Sequence, residues 1–118
     1  MSRRGVKKRL TQGAKRSLED FMDILRKNVG ELKRRFKVQE IGVFGSYVRG
    51  EENEKSDLDV LVAFQEPVGL FAFLDLEEYL EELLGVKVDL VSRKALKPHI
   101  GKHILEEVVY IHEEKGLP

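Results

Sequence analysis

Seven consecutive residues, Leu58-Asp59-Val60-Leu61-Val62-Ala63-Phe64, are apolar on both alternating faces except at one aspartate. A strand with one wet face alternates apolar and polar residues. One apolar on both faces must be covered on both, so this run is expected near the centre of a sheet. Two further runs read as strands. Val38-Gln39-Glu40-Ile41-Gly42-Val43-Phe44 closes on Gly45-Ser46, and Val86-Lys87-Val88-Asp89-Leu90-Val91 alternates cleanly.

Between the strands the period changes from two to nearly four. Leu18, Phe21, Leu25, Val29, Leu32 and Phe36 recur at steps of three and four, the stripe of an amphipathic helix over 18–36. Ser17 is placed to cap it, with Asp20 as the box partner. A second helix carries Leu70, Phe73, Leu74, Leu76, Tyr79, Leu80, Leu83 and Leu84 and stops at Gly85. Tyr47 to Gly50 suits one helical turn, and 51–56 a polar loop. The last helical region opens at Ser92 or Arg93 and is divided by Pro98. It is expected to run to about Ile111, with Ile100, Ile104, Leu105, Val108, Val109 and Ile111 on its apolar face. The order α-β-(short α)-β-α-β-α predicts an α/β (α+β) fold: a small mixed sheet of three or more strands with helices mainly on one face.

At 118 residues and 42% apolar composition the chain suits one small globular domain. No cysteine is present, which excludes disulfides and thiolate metal sites and permits a reducing cytoplasm. No apolar run approaches the roughly 20 residues of a membrane span, and the first ten residues do not lead into a signal-peptide core. A soluble, cytoplasmic protein is expected.

The formal net charge of zero hides a division. Residues 1–16 carry seven Lys or Arg and no acid, while 17–118 carry a net charge of −7. Residues 1–16 are therefore expected to form a flexible basic arm on a single domain, 17–118. The arm is either a phosphate-gripping element for RNA or another polyanion, or a solvated terminus. Its lack of any aromatic to stack on bases favours the second.

Asp57 and Asp59 stand at i and i+2 where the second strand begins. Both carboxylates therefore project to one side, about 6.6 Å apart along the strand. Two acids beside an apolar run are costly unless a cation neutralises them, and Mg²⁺ takes one or two protein carboxylates with water and phosphate oxygens. The plain alternative is a turn cap at Asp57 and a solvated strand end at Asp59. Gly45-Ser46 supplies a turn where backbone meets phosphate closely and a hydroxyl can donate, ahead of a short helix. Asp89 joins the pair if the second and third strands are neighbours; otherwise it is a strand carboxylate paired with Lys87. His99 and His103 have an i, i+4 spacing that suits zinc, but lack a third ligand and read as a surface pair. Tyr47 and Tyr79 read as packing residues rather than acceptors of self-modification.

Gly45-Ser46, ten residues, then Asp57-Leu58-Asp59 resembles the signature of the DNA polymerase β-like nucleotidyltransferase superfamily. The stretch GSYVRGEENEKSDLDVLV is most similar to its small stand-alone members, the minimal nucleotidyltransferases. The similarity runs on through VKVDLVS and IGKHILEEVVYI, covering roughly 18–112. The resemblance implies a polymerase β-like fold binding ATP with two Mg²⁺. Such enzymes transfer the nucleoside monophosphate to a hydroxyl and release pyrophosphate. It implies Asp57 and Asp59 as metal ligands and Asp89 as the third carboxylate, a base or a further ligand. Gly45 and Ser46 would hold the triphosphate. Arg49 would either steady the phosphates or pair with Glu51 or Glu52. The subgroup's partner is a helical HEPN toxin, with the nucleotidyltransferase as antitoxin adding AMP to a toxin tyrosine. A small-molecule acceptor, an RNA end, or a non-catalytic toxin-binding role are the alternatives.

Overall fold

The computed structural model describes residues 16–112. The basic arm lies outside the described residues except for Arg16. That guanidinium donates to the carbonyl of Leu84 at 2.7 Å, joining the acidic domain at the end of a helix.

The elements are α1 (Leu18–Phe36), β1 (Val38–Phe44), the single turn α2 (Ser46–Arg49), β2 (Leu58–Phe64), α3 (Leu70–Leu84), β3 (Val88–Ser92), α4 (Pro98–Glu107) and β4 (Val109–Tyr110). A 3₁₀ turn, Arg93–Ala95, leads into α4. The caps follow the local chemistry. The Ser17 hydroxyl accepts from the Asp20 N–H, and the Asp20 carboxylate accepts from the Ser17 N–H. Gly85 ends α3 at φ 73°, a left-handed position suited to glycine.

The sheet order is β3-β2-β1-β4. β2 is interior, as its two-faced apolarity requires, and Leu58, Val60, Leu61 and Val62 are buried. β1 runs antiparallel to β2, pairing Phe44 with Asp59. β3 runs parallel to β2, because α3 crosses over between them. α1 and α3 pack on each other and on the sheet, so one core joins Phe21, Leu25, Leu32, Leu76, Leu80 and Leu84 to the buried strand residues.

The C-terminal region corrects the helix expected to Ile111. α4 ends at Glu107, and Val109–Tyr110 forms β4 on the outer edge of β1. Gly42 makes this approach possible: a Cβ there would lie 2.8 Å from the Val109 carbonyl oxygen and 3.1 Å from the Tyr110 Cα. The β-branched pair Val108-Val109 leaves the helix, and the Ile111 N–H donates to the Ile41 carbonyl. The expected apolar face of α4 is also not a core face. Ile100 is 63% exposed and Leu105 40%, while the small Gly101 is the buried position. β3 starts at Val88, two residues later than the alternation suggested.

Candidate active site

Topology brings the sequence-predicted residues to one end of the sheet. β1 is antiparallel to β2, so its C-terminal Phe44-Gly45-Ser46 meets the N-terminal end of β2, where Asp57 and Asp59 lie. β3 is parallel to β2, so its N-terminal end arrives on the other side. Asp59 pairs directly with Asp89 in the register. Residues opposite one another on adjacent strands share a face, so Asp59 and Asp89 project together, with Asp57 in phase two residues before. No ion pair joins Asp89 to Lys87 among the described residues.

Gly45 and Asp59 are in intimate contact. The glycine stands at φ 86°, ψ −154°, and a Cβ on it would fall 2.0 Å from Asp59 Oδ2. Gly45 therefore serves two needs, a backbone conformation that side chains resist and an empty volume filled by a carboxylate.

The electrostatics of the cluster are unbalanced. Burial, then the charges of Asp89 and Asp57, push the Asp59 carboxyl up to about 6, with Arg49 opposing. Arg49 is itself engaged by other acids. Its Nε donates to Glu51 at 2.9 Å and its terminal nitrogen to Glu107 at 2.8 Å. Of the alternative partners read from the sequence, Glu51 or Glu52, the structure has Glu51. A crowded, half-buried carboxylate without its own counter-charge is the donor chemistry that receives a hard divalent cation. Among the described residues no three His, Asp or Glu side chains already stand as a metal-ligand set. The hard carboxylate oxygens gathered here are of the donor chemistry that suits a divalent cation such as magnesium, whose shell water and phosphate oxygens complete.

Residues 25–111 match the model of the nucleotidyltransferase domain family. The chain belongs to that family. It is 56% identical over 95 residues to the protein adenylyltransferase MntA of Thermococcus cleftensis, covering 80% of this chain and 96% of the relative. A solved structure described as a candidate minimal nucleotidyltransferase superposes with a TM-score of 0.69 at 41% identity, over 82% of this chain and 98% of its own. Two more distant structures share the fold. One is a toxin–antitoxin with AMP-PNP, TM-score 0.62 at 24% identity over 76% of this chain and 74% of that one. The other is a tri-AMPylated Shewanella oneidensis HEPN toxin in complex with MNT antitoxin, TM-score 0.58 at 21% identity over 79% and 73%. The architecture of this nucleotidyltransferase domain, a four-stranded mixed sheet with its helices, agrees with them.

Sequence reasoning about the nucleotidyltransferase site missed Glu107. The residue ends α4, sixty-two positions from Gly45, yet its carboxylate accepts from the Gly45 N–H at 2.6 Å and from Arg49 at 2.8 Å. Burial pushes the Glu107 carboxyl up, but the Arg49 and Gly45 hydrogen bonds outweigh it and hold it below the ordinary carboxylate range. No local motif marks it, because the contact exists only once α4 folds back on the turn. A depressed acid stabilises the fold above its unfolded pKa and loses that contribution as pH falls through the folded value. Glu107→Gln is accordingly expected to lower the melting temperature at pH 7 by the equivalent of about 1 kcal/mol, most of which disappears at acidic pH. A destabilisation equal at pH 7 and pH 3 would refute that account of the latch.

The remaining candidates resolve simply. Tyr47 is buried and meets Phe21 edge-to-face at 5.4 Å. Tyr79 packs on Phe36 at 5.0 Å beneath Arg35. Both are packing residues, as expected. His99 and His103 are exposed on α4.

Proposed function

We propose that this nucleotidyltransferase moves AMP from ATP to a hydroxyl of a partner protein, a tyrosine of a HEPN-type toxin, and so acts as an antitoxin. The observation that carries the chemistry is the register pairing of Asp59 with Asp89 beside Asp57 and the Gly45 turn. The protein acceptor is supported by the MntA relative and by the AMPylated toxin complex of the same fold.

In this reading Asp57 and Asp59 hold Mg²⁺, with Asp89 as the third carboxylate. The bound ion neutralises phosphate charge, the dominant need of phosphoryl-transfer chemistry. The Ser46 hydroxyl and the backbone at 45–46 orient the triphosphate, and Arg49 steadies it from the same turn. Asp89, exposed at the start of β3, accepts the proton of the attacking hydroxyl. The hydroxyl oxygen bonds to the α-phosphorus as the bridge to the β-phosphate breaks, and pyrophosphate leaves.

The test is incubation with α-labelled ATP, Mg²⁺ and a HEPN-type partner. Label is expected on the partner's tyrosine, dependent on Mg²⁺ and absent with Asp57→Ala. Label on RNA ends or small molecules alone would replace the acceptor. Partner binding with no labelled product in any condition would replace the activity by a covering role.

A further inference from the structure

One side chain, Glu107, brackets the short turn that carries Arg49. α2 is a single turn of four residues, Ser46–Arg49, with no side-chain cap at its N-terminus. Helices below about 12–15 residues do not hold themselves in water, so a turn this short takes its shape from what it touches. Its own bonds are few: the Val48 and Arg49 N–H groups donate to the Gly45 carbonyl, and the Glu51 N–H to that of Ser46. The Glu107 carboxylate adds a bond at each end. One oxygen accepts from the Gly45 N–H at 2.6 Å, the other from Arg49 Nη1 at 2.8 Å.

The bracket stands on the sheet. Glu107 is the last residue of α4, and the residues after it pair β4 with β1, Val109 with Val43 and Tyr110 with Gly42. β1 ends at Phe44 and leads straight into Gly45, so the carboxylate and the turn it grips are mounted on one strand. Arg49 is the outward end of this arrangement. Gly45 is buried, the Glu107 side chain is 22% exposed and the Arg49 side chain 47%, so the contacts run from the interior to solvent. A guanidinium has five N–H donors, and two are used here, one on Nη1 by Glu107 and Nε by Glu51. Three remain, and Nη2 has no acceptor among the described residues. Arg49 also reaches the carboxylate cluster, since its charge opposes the rise of the Asp59 carboxyl. An untethered arginine samples many rotamers, which an incoming anion must freeze. The two carboxylates have frozen Arg49 beforehand.

We infer that Glu107 is a positioning residue for nucleotide binding: from the buried side it holds the Arg49 guanidinium in the orientation that meets the triphosphate. This rests on the reading above that the site takes Mg²⁺-ATP. Pairing with an acid and steadying of phosphates, which the sequence sets as alternatives for Arg49, then become one function, because the pairing supplies the orientation. Glu107 itself touches no phosphate in this scheme.

The experiment measures binding of a non-hydrolysable ATP analogue with Mg²⁺ to the full chain by calorimetry, well below every variant's melting temperature. Wild type is compared with Glu107→Gln, Glu107→Asp, Arg49→Ala and the double variant Glu107→Gln/Arg49→Ala. Glu107→Gln removes a negative charge near a polyanion, which alone would tighten binding. Weakening by about three- to tenfold is expected instead, because binding must then order Arg49. Glu107→Asp keeps the charge but is one carbon too short to span both partners, and the same weakening is expected. In the double variant, Glu107→Gln should add nothing to the loss caused by Arg49→Ala, although it still lowers the melting temperature through Gly45. Tighter binding in Glu107→Gln overturns the inference and makes the carboxylate a competitor for the phosphate seat. Unchanged binding with only a lower melting temperature overturns it too, as does full additivity with Arg49→Ala. A wild-type protein that binds no analogue sinks the nucleotide reading itself, and this inference with it. Wild type that binds, with the expected cycle, but labels no partner keeps the positioning role and removes the transfer.

Discussion

Asp59→Asn is expected to make the ligand-free protein more stable at pH 7 while abolishing nucleotidyl transfer. The wild-type carboxyl titrates at about 6, against an ordinary 3.8, because it is half buried and faces Asp89 and Asp57. Between those two values the folded protein binds a proton that the unfolded chain releases. The ionised group therefore costs stability at neutral pH, and the cost fades as pH falls below about 4. The full shift corresponds to about 3 kcal/mol, and partial exposure reduces this to roughly 1–2 kcal/mol. The melting temperature of Asp59→Asn should then exceed that of wild type by several degrees at pH 7 and match it near pH 4. Mg²⁺ should stabilise wild type and leave the variant unmoved. On the proposed function, transfer should fall by at least about 10²–10³-fold, because Asp59 would there be a charge-stabilising group of the reaction. A variant less stable than wild type at pH 7, with transfer retained, would show that Asp59 is an ordinary strand-end carboxylate.

The second large effect is expected at Gly45. Gly45→Ala forces a side chain into a backbone conformation, φ 86° and ψ −154°, that is nearly closed to residues other than glycine. It also places the new methyl group 2.0 Å from Asp59 Oδ2. Strain of this kind costs about 1–3 kcal/mol, and displacement of the carboxylate should remove activity to the extent that Asp59→Asn does. The two causes can be separated. In the double variant Gly45→Ala/Asp59→Ala the collision is gone and only the backbone cost remains, so the loss of stability should be less than additive. Strict additivity would mean that Gly45 does not make room for Asp59.

These two effects rest on features of unequal origin. The phase of Asp57 with Asp59 and the turn at Gly45-Ser46 are local, and so are legible in the sequence alone. Helix α1 with its Ser17 cap, α3 with its Gly85 stop, and the interior place of β2 are legible for the same reason. Side-chain period and cap chemistry act over a few residues and need no distant partner. Asp89 is different. Its residue type and strand are visible in the sequence, but its membership of the cluster depends on β3 lying beside β2, parallel and in register.

The C-terminal end shows where local pattern misleads. Ile100, Leu105 and Val109 continue a plausible helical stripe, yet the first two face outward and the third lies in an edge strand. A periodic apolar pattern states that a face will be covered without stating what covers it. The strand β4 depends on Gly42, sixty-seven residues before Val109, having no side chain to hold it off.

The sequence by itself thus determined α1, β1, β2, α3, the shared phase of Asp57 and Asp59 and the Gly45-Ser46 turn, because each is encoded within a few neighbouring residues. Only the tertiary structure decided that Asp89 stands opposite Asp59, that Glu107 latches the turn, and that Ile100 and Leu105 of α4 are exposed. Those arrangements arise from contacts between segments distant in the chain, where strand register and helix docking, rather than residue type, set which groups meet.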